Sequence, residues 1–225
     1  MSQEPAPAKP SASVVITRDQ GANLEVLLLR RNEKIVFHGG AWVFPGGRVD
    51  DADHAGLDDE LEIAKVAAVR EVSEETGLTV TPDGLRPFAH WTTPIQLPKR
   101  FATWFFVAGI PKHLDVQIDN SEIIDFKWLT ASAALSAHRN GEISLPGPTF
   151  VTLRRFESIT TTEALLQEAM ANPVERFEPR IVKLENGRCA LYREDAGYDG
   201  IDMDIPGPRH RLVMAGTDWA YERDF

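Results

Sequence analysis

Three glutamates stand close together near the end of one segment with helical periodicity. Glu71, Glu74 and Glu75 are three and four residues apart, so on a helix they share one face, within about 6 Å of each other. Like charges at this spacing destabilise a helix unless a positive charge lies among them. Carboxylate oxygens suit a hard divalent cation such as Mg²⁺ or Mn²⁺. The pattern therefore indicates a metal site, and an ordinary solvated acidic face is the competing interpretation.

The elements that position these glutamates follow from the local pattern. Residues 58–76 have helical periodicity, with a core-facing stripe formed by Leu61, Ala64, Ala68 and Val72. Gly77 follows as the expected C-terminal glycine. Upstream, residues 42–44 favour a short strand that residues 45–47, Pro-Gly-Gly, end in a tight turn. This turn exposes backbone amides and carbonyls, and it favours the metal site over the solvated face.

The acidic helix resembles the Nudix box, the motif of the Nudix hydrolase family. The matching positions are Gly56, Glu62, Arg70, Glu71, Val72, Glu74, Glu75, Gly77 and Leu78. The resemblance covers about residues 12–130. It is strongest to the coenzyme A diphosphatase-like branch, on residues 39–50, 90–94 and 99–103. It implies a metal-dependent hydrolase that acts on acid anhydrides and cleaves a diphosphate linkage.

The resemblance also implies roles for residues of the box. Glu74 and Glu75 are expected to ligate Mg²⁺ or Mn²⁺, and Glu71 is expected to be a metal ligand or the base that activates water. Arg70 is expected to orient Glu71 rather than to contact substrate. The metal would neutralise the diphosphate and lower the pKa of a bound water.

The glycine turn stands nine residues earlier than in the family pattern. Gly56 fits the count of the motif, whereas Gly46 fits the physical role of a loop that leaves a strand. We therefore interpret residues 48–56 as an insertion and favour the Gly46 carbonyl as the backbone metal ligand. Residues 50–56 have little to bury and are predicted to lie exposed beside the cleft.

Other residues near the presumed cleft have candidate roles. Glu122 matches the place of an extra catalytic carboxylate in some Nudix proteins, although a surface position is nearly as compatible with its sequence. Among the basic residues, Arg100 is the strongest candidate for binding substrate phosphates, followed by Arg48 and Arg31. Three tryptophans could stack on a base, but strand aromatics more often belong to the core: Trp42, Trp91 and Trp104.

Composition limits the classes of protein that fit. The chain has 225 residues, a formal net charge of -10 and a single cysteine, Cys189. The negative charge argues against nucleic acid and acidic membranes as partners. One cysteine allows neither an intrachain disulfide nor a cysteine-based zinc site. With no secretory signal or membrane span evident, we expect a cytoplasmic protein.

The order of mixed strands and helices predicts an α+β fold, an α/β/α sandwich of the Nudix type. We divide the chain into a disordered tail (1–12), a Nudix hydrolase domain (13–145) and a C-terminal extension packed on that domain (146–225). The extension is predicted to contain two helices and a hairpin around Asn186 and Gly187. Its apolar residues need a covering surface, which the small sheet or a second subunit could provide. We therefore predict a homodimer in which the extension contributes to the interface or covers the cleft.

The predicted substrate is a nucleoside diphosphate derivative, with coenzyme A preferred. NADH, ADP-ribose and dinucleoside polyphosphates are the alternatives within the same reaction class. Two further hypotheses are a Nudix module that binds a ligand without catalysis and an interaction domain that uses residues 145–225. The intact box argues against the first, and metal-dependent turnover would exclude the second.

Overall fold

The computed structural model describes residues 6–35 and 38–225. In this part of the chain, the main sheet contains eight strands: β1 (Lys9–Gln20), β2 (Asn23–Arg31), β3 (Trp42–Val43), β4 (Gly46–Arg48), β5 (Arg86–Thr92), β6 (Phe101–Gly109), β7 (Ile123–Leu129) and β8 (Glu175–Phe177). Their order is β3-β2-β1-β6-β5-β8, with β4 also paired to β1 and β7 to β2. The sheet is mixed, since β1 runs parallel to β6 while β1 and β2 form an antiparallel hairpin.

The first strand begins at Lys9, so the predicted tail of residues 1–12 is wrong for residues 9–12. Lys9 pairs with Phe101 in the parallel ladder to β6, and the buried Ser11 lies 2.6 Å from the hydroxyl oxygen of Thr103. The Pro- and Ala-rich composition suggested a disordered tail, but residues 9–12 pair with the central strand β6. Composition alone does not show such pairing. The first five residues lie outside the described part of the chain.

Two helices follow β4: the short α1 (Asp51–His54) and the long α2 (Glu60–Thr76). The side chain of Asp59 caps α2 by accepting a hydrogen bond from the Glu62 amide at 3.0 Å. Gly77 ends it in the left-handed conformation at φ 67°. Ala64, Ala68 and Val72 are buried against one face of the main sheet. The helix predicted over residues 58–76 is confirmed.

The opposite face of the sheet is covered by α3 (Ala131–Arg139), α4 (Gly147–Phe156) and α5 (Thr162–Ala171). Beyond them, β9 (Arg180–Leu184), β10 (Gly187–Leu191), β11 (His210–Ala215) and β12 (Asp218–Arg223) form a second, antiparallel sheet. The layers of helix, sheet and helix confirm the predicted α+β class. The hairpin around Asn186 is also confirmed.

The C-terminal residues share one core with the Nudix-like part. Phe150, Leu153, Phe156 and Leu165 belong to the same buried cluster as residues of β1 and β2. β8 also joins the main sheet, in a parallel pair with β5. The apolar residues for which we expected a second subunit are thus covered within the chain, so they no longer argue for a homodimer.

No helix in the described ranges combines the length and the apolar character that crossing a membrane requires.

Candidate active site

The glycine turn and the end of α2 form one site. Gly46 donates its backbone N–H to Oε2 of Glu75 at 2.9 Å, and the Glu75 side chain is buried, with the residue 6% exposed. A Cβ at Gly47 would overlap the Glu71 carboxylate, and a Cβ at Gly46, where φ is +150°, would overlap the Ala12 carbonyl oxygen. Both glycines are therefore needed for the turn to press its backbone against the two carboxylates.

Arg70 holds the acidic cluster from the other side. Its Nη1 donates to Glu71 at 2.9 Å and to Glu74 at 3.1 Å. Its Nε and Nη2 bind both carboxylate oxygens of Asp53, at 3.0 and 2.8 Å. This bidentate hydrogen bonding to Asp53 fixes the plane of the Arg70 guanidinium. Arg70 thus donates a hydrogen bond to Glu71, the residue that the family resemblance leads us to expect it to orient.

Asp53 is the main residue that the sequence analysis missed. Residues 50–56 were predicted to lie exposed, but Asp53 is only 2% exposed, because α1 packs against α2 and turns this side chain towards Arg70. Its Oδ2 also accepts the backbone N–H of Asp50 at 2.8 Å. An acidic residue three positions after an acidic helix cap is a known helix-start pattern, and it could have signalled α1.

Burial controls the charge of the two inner glutamates. It raises the pKa of Glu75 to about 8, with the nearby Glu71 and Glu122 adding to the effect and the Gly46 N–H and Arg31 opposing it. Burial also raises the pKa of Glu71, against the opposing influence of Arg70. The hydrogen bonds from Arg70 hold the pKa of Asp53 below its usual value. The site therefore concentrates carboxylates whose negative charge the protein alone does not fully compensate.

Arg31 and Glu122 border this cluster. The Arg31 Nη2 atom lies 3.7 Å from Oε2 of Glu122, whose side chain is 66% exposed. The loop that carries Glu122 is fixed to the end of β2, because the backbone N–H of Asn32 donates a hydrogen bond to the Glu122 carbonyl at 2.8 Å. Both residues act electrostatically on Glu75. The structure thus brings Arg31 and Glu122 to the carboxylates.

The other two basic candidates occupy different positions. Arg100 donates from Nε to the Thr93 carbonyl at 3.1 Å and from Nη1 to the Ala6 carbonyl at 2.7 Å. These contacts anchor the chain before β1 and speak against a substrate role for Arg100. Arg48 is exposed, and its carbonyl accepts a hydrogen bond from Arg70 at 3.0 Å, so it stands at the rim of the site.

The carboxylate oxygens of the site are chemically suited to bind a divalent metal ion. Glu71, Glu74 and Glu75 offer the oxygen atoms that Mg²⁺ and Mn²⁺ prefer, and a cation beside buried Glu75 would oppose the effect of burial, which raises its pKa and disfavours the charged form. Within residues 6–35 and 38–225, no group of three or more acidic, His or Cys side chains already stands in metal-binding geometry. Arg70 holds Glu71 and Glu74 together, so the side chains must rearrange around a cation.

Comparison with known proteins identifies the family. The NUDIX domain model matches residues 7–145. The acyl-coenzyme A diphosphatase NUDT19 of Xenopus laevis is 23% identical over 290 residues, covering 86% of this chain and 76% of that protein. The m7GpppN-mRNA hydrolase NUDT17 of Danio rerio is 32% identical over 126 residues, covering 50% of this chain but only 39% of its own length.

Among solved structures, a NUDIX hydrolase from Alicyclobacillus acidocaldarius has the same fold. Its TM-score is 0.65 at 22% identity, and the match covers 72% of this chain and 96% of that one. The family model spans more than half of the chain and includes the whole acidic cluster with its glycine turn. The chain therefore belongs to the Nudix hydrolase family.

Proposed function

We propose that this Nudix hydrolase uses Mg²⁺ or Mn²⁺ to cleave the diphosphate linkage of a nucleoside diphosphate derivative, with coenzyme A or an acyl-coenzyme A as the preferred substrate. The observation that supports it most is the pair of half-buried Glu71 and buried Glu75, both against the Gly46–Gly47 backbone, with Glu71 also hydrogen-bonded by Arg70.

Each residue of the cluster has a role in this proposal. Glu74 and Glu75 would hold the metal, with the Gly46 carbonyl as a further ligand, and the metal would neutralise substrate charge and lower the pKa of water. Glu71 is a ligand or accepts the proton of the attacking water. Arg70, fixed by Asp53, keeps the Glu71 carboxylate in place.

Two residues at the border complete the proposed mechanism. Arg31 lies where a cationic side chain can bind a substrate phosphate, with Arg48 at the rim as a second candidate. Glu122, beside Arg31 and mostly exposed, is placed to accept a proton as an additional base. A guanidinium binds phosphate oxygens through paired N–H donors, so loss of Arg31 is expected to raise KM more than it lowers kcat.

The substrate preference comes from the relatives and from the loop of residues 39–50. The Xenopus relative is named an acyl-coenzyme A diphosphatase. The zebrafish relative is named an mRNA cap hydrolase, which makes a dinucleoside polyphosphate the second candidate. Both reactions break a diphosphate bond, so the two candidates share one site and differ in the groups attached to the phosphates.

A substrate panel tests the proposal. We expect the purified chain to cleave coenzyme A to 3′-phosphoadenosine 5′-phosphate and 4′-phosphopantetheine with Mg²⁺ or Mn²⁺, and to lose this activity when EDTA is added. Mass spectrometry of the products separates coenzyme A from cap analogue, NADH and ADP-ribose. If cap analogue, NADH or ADP-ribose is cleaved faster than coenzyme A, that compound becomes the proposed substrate. Absence of cleavage across the whole panel would overturn the proposal that the protein is an enzyme.

A further inference from the structure

A groove of about 420 Å³ opens on the face of the main sheet opposite α2. Its floor is formed by Trp42 of β3, Arg30 of β2, and Asp125 and Lys127 of β7. Arg30 pairs in register with both Trp42 and Asp125, so these side chains leave the same face of the sheet. The groove has the size of a small-molecule site, for which volumes of about 300 to 1,000 Å³ are usual.

The walls of the groove come from two distant parts of the chain. One wall follows α3 and includes His138 and Gly141. The other consists of the turn after β11 and the first two residues of β12, residues 216–219, which we call the 216–219 turn. The walls nearly meet, since a Cβ placed on Gly141 would lie 4.0 Å from Cγ2 of Thr217. The 216–219 turn lies outside the residues that match the NUDIX domain model, 7–145.

Aromatic rings and hydrogen-bonding groups alternate around the groove. The Lys127 ammonium lies 5.1 Å from the Trp42 ring centroid, and the Trp219 ring stands edge-on to His138 at 4.7 Å. His138 is only 4% exposed, and neither ring nitrogen makes a hydrogen bond of normal geometry to the described residues. The Ile143 backbone offers the ring a polar contact short of normal geometry, so a ligand or water that forms a normal hydrogen bond with it would stabilise this buried imidazole.

These groups match a purine nucleoside. Carboxylates such as Asp125 can accept from an exocyclic amino group, while Lys127 and a ring nitrogen of His138 can donate to acceptors on the base. The half-buried Trp219 offers an indole surface for stacking, which contributes about 1–3 kcal/mol per base in nucleic-acid complexes. An aliphatic chain would leave these polar groups without partners.

The groove and the acidic site lie on opposite faces of the sheet at the same end of β2. Arg30 faces the groove, and the next residue, Arg31, lies beside Glu122 on the other face. β2 ends at Arg31 and the chain continues into residues 32–35, so a substrate that reaches both the groove and the acidic site has to extend past this end of β2. Gly40, which also lines the groove, donates its backbone N–H to the Arg31 carbonyl at 3.0 Å.

We propose that this groove binds the purine nucleoside end of the diphosphate substrate, and that the 216–219 turn is an element of substrate specificity added by the C-terminal part of the chain. The proposal rests on the proposed function, since it places the diphosphate at the acidic site. It assigns to Thr217 and Trp219 a role that the matched domain cannot supply.

The test places a large side chain in the groove by a substitution in the 216–219 turn. Thr217 is exposed, so Thr217→Trp narrows the groove without disturbing the core. Ala220→Trp is the matched control, because Ala220 is exposed on the same hairpin and does not line the groove. Calorimetry with adenosine 5′-monophosphate, without metal, measures binding, and KM and kcat are measured on the substrate that the panel identifies. Thermal melting verifies that both variants fold.

We expect Thr217→Trp to weaken binding and to raise KM by about tenfold or more, which corresponds to about 1.4 kcal/mol, with kcat nearly unchanged. Ala220→Trp should match the wild type in both measurements. Unchanged affinity and KM in Thr217→Trp, or no binding by the wild-type protein at millimolar nucleotide, would overturn the groove assignment. Nucleotide binding that Thr217→Trp abolishes, without cleavage of any diphosphate by the wild type, would support the groove and contradict the proposed function.

Discussion

Asp53 should control the acidic site although it is two side chains away from Glu75. In Asp53→Asn, the uncharged amide keeps the shape of the side chain but loses one of the two acceptors that bind Arg70 at 2.8 and 3.0 Å. The guanidinium then keeps one acceptor on residue 53, together with Glu71, Glu74, the Arg48 carbonyl and the more distant Asp50 carboxylate at 3.8 Å. We expect it to turn towards the glutamates and to move Glu71 away from its place beside Gly47.

The size of the effect follows from burial. Breaking a fully buried ion pair by removing one partner costs about 3–5 kcal/mol. The Arg70 side chain is 26% exposed and keeps other partners, so a smaller loss of about 1–3 kcal/mol, typical of a hydrogen bond to a charged group, is expected for the free energy of unfolding. Loss of a group that orients a metal ligand lowers activity by about 10- to 100-fold.

Urea unfolding and steady-state kinetics measure the two effects separately. Asp51→Asn is the matched control, because Asp51 is exposed on the same short helix, and it should leave stability and kcat near the wild-type values. Wild-type stability together with wild-type kcat in Asp53→Asn would refute the idea that this carboxylate positions Arg70.

Three further predictions concern other parts of the chain. Gly47→Ala should lower kcat at least tenfold, since its Cβ would overlap the Glu71 carboxylate; wild-type kinetics would contradict the close approach. Asp195 is buried and paired with Arg211 at 2.7 Å, so Asp195→Ala should cost about 3–5 kcal/mol in urea unfolding. Burial raises the pKa of Asp195, but hydrogen bonds from Arg211 and the backbone lower it more, so the pKa in the folded protein lies below its usual value of 3.8. The contribution of this carboxylate to folding stability is therefore present above pH 3.8 and is lost as the pH falls below that value. A pH-independent difference in stability between wild type and Asp195→Ala would contradict this. Truncation after Leu145 removes β8 and ten of the 26 buried residues of a shared core and should give insoluble protein, whereas a soluble, active fragment on size exclusion would contradict the shared core.

The sequence predicted the parts of the fold that local signals determine. The periodic apolar stripe and the terminal glycine predicted α2, and Asn186–Gly187 predicted a hairpin, because both patterns act over a few residues. The start of β1 was missed because its pairing partner, β6, lies about ninety residues away. β12 was missed because four of its six residues are exposed and give no apolar run.

The same distinction applies to the site. The spacing of Glu71, Glu74 and Glu75 fixed which carboxylates share a helix face, and the motif named their neighbour Arg70. Asp53 escaped notice because only the packing of α1 on α2 buries it. The contacts of Arg100 with Ala6 and Thr93 could not be predicted for a similar reason, since they depend on tertiary structure.

The central claim is that the carboxylates at the end of α2 hold a divalent cation that drives diphosphate cleavage. It is tested most directly by the rate of cleavage at saturating Mn²⁺ in the wild type and in Glu75→Gln, with Glu163→Gln, an exposed residue on α5, as the control. We predict that Glu75→Gln, which keeps the shape but not the charge, lowers kcat by about a hundredfold or more. The control should match the wild type. A Glu75→Gln enzyme that cleaves its substrate at the wild-type rate would contradict the account.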